Sequence, residues 1–290
     1  MTTDPAFETL LEYVESELGF ATSHYNRSYL DRRVSSRMRR TGSDDYETYL
    51  ELLRSDPDEP TALLDSLSIN VTGFFRNPDV WEGIRDLLRQ LTEEATRNGE
   101  QVHVWSAACA DGREPYSLSM LAHDDEEIDE SALTILGTDI SDPALESARN
   151  RRYTESRTVD LEDQLAFLSS YERYVDHDAD TQTYTVARDV ARTVTFERHD
   201  LINGPQKSGF DLVVCRNLFI YIDNEYKQTI LESIADSLRP DGYLVIGKAE
   251  TIPPSLKSAF AVRDGRLRIY QRDPSVGDAE EAPSSSRSSN

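Results

Sequence analysis

In "WSAACADGREPYS", residues 105–117, a carboxylate, Glu114, follows a single glycine, Gly112, and the stretch holds no lysine. The run before it, "QVHVW", is short and apolar, and "YSLSMLAHD" after it carries helical apolar spacing, so the segment reads as strand, loop and helix start. Loops of this kind hold nucleotide-like ligands, with phosphate against the helix N-terminus. A carboxylate there opposes phosphate and attracts a cation. Taken alone, Glu114 serves equally well as a partner for the helix dipole. A second carboxylate, Asp139, closes "LTILGTD". After the second strand of such a fold an acidic residue takes ribose hydroxyls. Asp139 could also cap the helix of "SDPALESARN", but Ser141 and Asp142 can fill that role.

These residues need a sheet to position them. From about Gln101, short apolar runs alternate with helical ones, the pattern of a parallel sheet with crossovers. Strands are predicted at "VHVWS", "LTILGTD", "VTFERHD", "DLVVCRN" and "GYLVIGK". "FAVRDG" and "RLRIYQR" meet near Asp264-Gly265 and predict a hairpin return, hence an antiparallel strand closing a mostly parallel sheet. An insertion, about 161–192, reads as a helix, "LEDQLAFLSSYERYV", and a small β hairpin in "TYTVARDVARTVTF".

The residues before the sheet read as helices. "DPAFETLLEYVESELGF" places Phe7, Leu10, Leu11, Val14 and Leu18 on one face and stops at Gly19. "RSYLDRRVSSRMRRTG" does the same with Leu30, Val34 and Met38. "DDYETYLELLRSD", "EPTALLDSLSI" and "NPDVWEGIRDLLRQLTEEATR" follow, the last with Asn77 as N-cap and Pro78 at N1. The expected division is a helical domain with its linker at 1–76, a sheet domain at 77–272 and a disordered polar tail at 273–290.

Composition excludes several classes. At 290 residues the chain is long enough for two ordinary domains. A formal charge of −23 argues against a nucleic-acid binder, whose phosphate affinity comes from clustered Lys and Arg, and is suited to a salt-rich cytoplasm. Two cysteines, Cys109 and Cys215, and five scattered histidines give neither a disulfide framework nor a metal site. No apolar run approaches the ~20 residues of a membrane span. A cytoplasmic, metal-free chain is expected, acting as a monomer.

The sheet with its antiparallel ending resembles that of the class I S-adenosylmethionine-dependent methyltransferases. That cofactor carries a sulfonium and an ammonium and no phosphate, which suits Glu114. More specifically, "INVTGFFR", "WSAACADGREPYS", "GTDIS", "CRNLFIYI" and "RPDGYLVIGKAE" occur in the order found in the chemotaxis receptor glutamate methyltransferases, the CheR family, and the resemblance covers roughly Ala6 to Arg272. It implies that Asn70, Thr72 and Arg76 reach over the cofactor. It also assigns Glu114, Asp139, Arg216 and Asn217 to the cofactor pocket, and Asp200 and Leu201 to the adenine. The family usually has Asn at the place of Asp200 and an acid at that of Arg113. Phe74 and Phe75 are expected to pack between the helical domain and the sheet.

The implied reaction is methylation of glutamate side chains on the cytoplasmic region of methyl-accepting chemotaxis receptors, giving γ-glutamyl methyl esters. The nucleophile is already ionised at neutral pH, so a base is unnecessary. Arg76 is expected to orient the incoming carboxylate, and the resemblance sets Tyr221 beside the transferring methyl. The helix from Arg27 to Arg40 has six arginines against one acid, Asp31. Arg32, Arg33 and Arg40 lie off its apolar stripe and suit docking on acidic receptor helices, as the resemblance also implies. Members of the family tethered to a receptor's terminal peptide have a glycine in the small hairpin, which "YVDHDADTQTYTVARDV" lacks. The alternatives are a receptor-docking module that binds the cofactor without turnover, and a methyltransferase acting on another protein.

Overall fold

The computed structural model describes residues 4–67, 72–156 and 159–273, and the chain divides into two compact units. One is Met1–Asn70 with Leu218–Lys227; the other is Val71–Asn217 with Gln228–Asn290. The segment assigned as a tail lies outside the described residues from 274 onward.

The first unit is a helical cluster of α1 (Pro5–Leu18), α2 (Arg27–Thr41), α3 (Tyr46–Ser55) and α4 (Glu59–Leu67). Asp4 accepts from the Ala6 amide to start α1 and Asp45 from the Thr48 amide to start α3, each satisfying an amide that the helix leaves without a partner. Leu10, Leu11, Val14, Leu30, Val34, Tyr49, Leu53, Leu63 and Leu67 are buried together. Glu59 is buried within this cluster. It accepts from Arg37 on α2 and from the Tyr49 hydroxyl on α3, at 2.6 Å, and so binds three helices through one charge that is fully partnered.

The second unit opens with α5 (Pro78–Asn98) and continues β1 (Val102–Ala107), α6 (Arg113–Asp124), β2 (Leu133–Asp139), α7 (Asp142–Asn150), β3 (Arg152–Thr154), α8 (Leu161–Leu165), β4 (Val175–Asp178), β5 (Thr183–Val186), α9 (Arg188–Arg192), β6 (Val194–Arg198), β7 (Phe210–Cys215), α10 (Asn224–Ser237), β8 (Leu238–Ile246), β9 (Phe260–Asp264) and β10 (Ile269–Arg272). The first four residues of α10 belong to the helical unit. Seven strands form one sheet in the order β6-β2-β1-β7-β8-β10-β9. The pairs from β6 to β8 are parallel, and β10 is antiparallel to both its neighbours. This is the mostly parallel sheet with an antiparallel return that the strand pattern predicts.

Two local readings differ from the structure. The helix expected across "LEDQLAFLSSYERYV" ends after Leu165, and Val175 already belongs to a strand. The hairpin pairs β4 with β5, and β3 joins on the other side of β5 to make a separate three-stranded sheet. Residues 188–192, which fall inside the segment read as a hairpin, are helical, and "VTF" joins the main sheet. The Asp178 carboxylate accepts from the Asp180 and Thr181 amides, closing a turn with no glycine by a side-chain bond. Phe74 and Phe75 lie inside the second unit's own core. Phe74 meets Tyr153 edge-on at 5.1 Å, and Phe75 stacks on Phe167 at 4.8 Å.

Candidate active site

The order of strands reverses direction about β1, which has β2 on one side and β7 on the other. A crevice opens at the carboxyl ends of strands at such a point. The chain after β1 turns through three left-handed residues, Ala108 (φ 57°), Ala110 (φ 50°) and Gly112 (φ 86°), and two of these are alanines, which rarely adopt that conformation. Ala110 is held there by Asp139 at the end of β2. Its Oδ2 accepts from the Ala110 amide at 2.8 Å and its Oδ1 from the Ser141 amide at 2.9 Å. The helix α7 is capped by Ser141, which accepts from Ala144, so Asp139 is left to fix the loop. At Gly137 a Cβ would lie 2.8 Å from the Phe196 ring, so the strand beneath the loop must be bare for the aromatic ring to pack.

Glu114 sits in the first turn of α6 with its side chain 12% exposed. Its Oε1 accepts from the Ser106 hydroxyl at 3.0 Å, and its Oε2 lies 3.4 Å from Arg216 Nη1. Burial raises the pKa of Glu114 above that of an ordinary carboxyl, with Arg216 and Ser106 opposing. Burial also raises Asp139, against the amides of Ser141, Ala110 and Ile140. Two carboxyls held in partial desolvation beside one loop make a site where a cation is favourable and a phosphate is not.

Arg216, just after β7, has a side chain 1% exposed. Its Nη2 donates to the Arg76 carbonyl at 2.6 Å and to Asn77 Oδ1 at 3.0 Å, and its guanidinium lies over Trp81. Asn77 occupies the N-cap place of α5 but its side chain does not cap the helix, because that oxygen serves Arg216. Phe75 (φ 46°) and Asn77 (φ 63°) are both left-handed. The Phe75 amide donates to Ser117 Oγ, and Trp81 Nε1 donates to the Arg76 carbonyl at 3.1 Å. The main chain at Arg76 is therefore set by its neighbours, and its side chain is half-buried.

Asn217 is also left-handed (φ 63°), and its amide donates to Glu250 Oε2 at 3.1 Å. The same oxygen accepts from the Gly247 amide. Buried Glu250 thus clamps the end of β7 to the end of β8, and at Gly247 a Cβ would fall 2.6 Å from that oxygen. Sequence reasoning missed Glu250, although it closes the quoted run "RPDGYLVIGKAE". It also missed that Arg113 forms a two-toothed pair with Asp111, with Nη2 to Oδ2 at 2.8 Å, while the Tyr153 hydroxyl donates to the Asp111 carbonyl.

Asp200 follows β6, whose neighbour is β2. Its Oδ1 accepts from the Ile202 and Asn203 amides at 2.8 and 3.1 Å, so its carboxylate shapes the following turn. Leu201 is half-buried beside it, and Thr72 is half-buried on the segment before α5. Thr72, Arg76, Glu114, Asp139, Asp200, Leu201, Arg216 and Asn217 all fall in the second unit. Those that follow strands β6, β2, β1 and β7 share the carboxyl edge of the sheet. Asn70 lies outside the described residues.

Tyr221, Arg32, Arg33 and Arg40 belong to the helical unit. Tyr221 is half-buried, with its ring 4.8 Å from Tyr29. Arg32 and Arg40 are exposed on α2; Arg33 is half-buried, its guanidinium 5.3 Å from the centre of the Tyr29 ring. Among the described residues no carboxylate pairs with Arg32, Arg33, Arg39 or Arg40. The paired arginines of α2 are Arg27, with Glu8, and Arg37, with Glu59.

A seven-stranded, mostly parallel sheet with one antiparallel return and an acceptor-rich loop after its central strand defines a class I methyltransferase fold. The model of the "CheR methyltransferase, SAM binding domain" matches residues 70–269, and that of the "CheR methyltransferase, all-alpha domain" matches residues 5–68. The chain belongs to the CheR methyltransferase family, and S-adenosylmethionine is its cofactor. It is 32% identical over 240 residues to the "Chemotaxis protein methyltransferase" of Listeria monocytogenes, covering 82% of this chain and 87% of that one. The "Chemotaxis protein methyltransferase" of Escherichia coli is 28% identical over 280 residues, covering 93% and 92%. "Chemotaxis protein methyltransferase 2" of Vibrio cholerae is 27% identical over 287 residues and covers 96% of each chain. The donor set fits the cofactor: partly desolvated carboxyls at Glu114 and Asp139 gain from a bound cation, and Arg216 and Arg113 are engaged with protein oxygens.

Proposed function

We propose that the chain methylates glutamate side chains on the cytoplasmic region of methyl-accepting chemotaxis receptors, giving γ-glutamyl methyl esters. The observation that carries this reading is the arginine face of α2. In a chain of net charge −23, Arg32, Arg39 and Arg40 are exposed there with no carboxylate partner among the described residues. Guanidinium groups recognise carboxylates with two parallel hydrogen bonds, and an acidic receptor helix offers them.

Bound S-adenosylmethionine supplies an electrophilic methyl group on a sulfonium. Glu114 and Asp139 hold its cationic and ribose parts, with Thr72, Asp200, Leu201, Arg216 and Asn217 completing the pocket. The substrate carboxylate is ionised at neutral pH and attacks without a base. Arg76 orients it, and Tyr221 aligns it for in-line attack. The contribution of these residues is alignment and exclusion of water. The products are the ester and a neutral thioether, and no proton changes hands.

Incubating the chain with methyl-labelled S-adenosylmethionine and receptor-enriched membranes tests this. The expected product is label on the receptor that base releases as methanol. Label that resists base, or none on the receptor while the cofactor binds, would exclude glutamate esters as the product.

A further inference from the structure

The loop that carries Tyr221 is fastened to the start of α2. The Asn26 amide donates to the Tyr221 carbonyl at 2.9 Å, and its side-chain Nδ2 donates to the Ile220 carbonyl at 3.2 Å. Tyr25 and Ile222 form an antiparallel bridge, and the Asp223 amide donates to the His24 carbonyl at 2.9 Å. Asn26 holds the N-cap place of α2, where an asparagine oxygen ordinarily accepts from the first amides of the helix. It makes no such bond. The side chain serves the loop instead.

Tyr29, one turn into α2, is 3% exposed. Its hydroxyl donates to the Leu67 carbonyl at 2.9 Å. The guanidinium groups of Arg32 and Arg33 lie 5.8 and 5.3 Å from its centre, and the Tyr221 ring lies 4.8 Å from it. One buried ring therefore lies beside Arg32, Arg33 and Tyr221.

We propose that Asn26 and Tyr29 are positioning residues for Tyr221. They hold its ring at a fixed offset from the arginine face of α2, so that a substrate helix seated on those arginines meets Tyr221 in register. This rests on the reading of Tyr221 as an active-site residue. The elements involved lie within the helical unit, and the arrangement makes docking and alignment properties of one body.

The test uses the full chain with receptor-enriched membranes. Asn26→Asp keeps an acceptor for helix capping but removes the donor to Ile220. It should lower kcat about 10- to 100-fold, as small misplacements of reacting groups do. The receptor KM, the affinity for S-adenosylhomocysteine and the melting temperature should hold, while amide exchange at residues 220–223 should quicken. Tyr29→Phe, which keeps the ring, should retain turnover, and Tyr29→Leu should lose kcat in the manner of Asn26→Asp. Unchanged kcat and unchanged exchange in Asn26→Asp would overturn the role of Asn26, and equal turnover in Tyr29→Phe and Tyr29→Leu would overturn that of Tyr29. Wild-type turnover in Tyr221→Phe would overturn the active-site reading of Tyr221 alone, and the amide exchange of Asn26→Asp would still decide whether the loop is held.

Discussion

Arg216 and Glu114 face each other at 3.4 Å, and the arginine that completes the pair is 1% exposed. The contact is long for a bond between charges, because the guanidinium is divided among Glu114, the Arg76 carbonyl and Asn77. Removing the arginine leaves a buried carboxyl and frees the segment that holds Arg76. Arg216→Met should therefore destabilise the chain by about 3–5 kcal/mol. Adding Glu114→Gln in the same chain should recover part of that loss. Urea melts of the single and double variants check both statements.

Glu114 and Asp139 also set a pH dependence. Both carboxyls are raised by burial above their ordinary values of 4.5 and 3.8. A raised folded pKa means the folded state holds its proton longer than the unfolded one. Their contribution to stability is complete below those ordinary values and is lost as pH rises through the raised ones. A bound cation favours the ionised carboxyls, so cofactor binding should release protons in that window. Affinity for S-adenosylmethionine should fall on acidification through it, and Glu114→Gln should flatten the fall. Calorimetry in two buffers of different ionisation enthalpy reads the proton release, and equal heats in both would dismiss the linkage.

Asp139 already accepts two backbone amides, so truncating it disturbs the loop whatever ligand lies beside it. Asp139→Asn is the cleaner variant, since its oxygen can keep one of those bonds. It should weaken S-adenosylmethionine and S-adenosylhomocysteine alike, by about 1.5–3 kcal/mol for a charge-assisted bond. Titration of both ligands checks this. A loss confined to one of them would place Asp139 away from their shared ribose.

The strands were legible because apolar runs such as "LTILGTD" and "DLVVCRN" are buried and bounded by polar ends, and both structural strands fall on them. The place of Asp139 was legible for a similar reason: a residue that ends a central parallel strand falls at the carboxyl edge of the sheet. Glu250 was not. Its role depends on a left-handed Asn217 and a bare Gly247 meeting across two strands, and no local spacing encodes that. Asn77 shows the opposite error. Its neighbours spell an N-cap, but Arg216, far along the chain, takes the oxygen that would have capped. The helix expected through Val175 failed because the second half of its apolar stripe serves a strand and a short turn.

The arginines of α2 separate into two kinds, and that decides how docking is to be tested. Arg32 and Arg40 are exposed, whereas Arg33 is half-buried over Tyr29, with an Nε that has no partner. A variant that removes all three would mix docking with the packing of Tyr29. Arg32→Ala with Arg40→Ala should slow receptor methylation and weaken its dependence on salt, because exposed charges attract a partner over about a Debye length. S-adenosylhomocysteine affinity and the melting temperature should hold, since both residues are exposed and pair with no carboxylate among the described residues. Arg33→Ala should lower the melting temperature as well as the rate. Methylation rates across a series of salt concentrations check the first pair. If the double variant kept both its rate and its salt slope, this face of α2 would not be where the receptor docks.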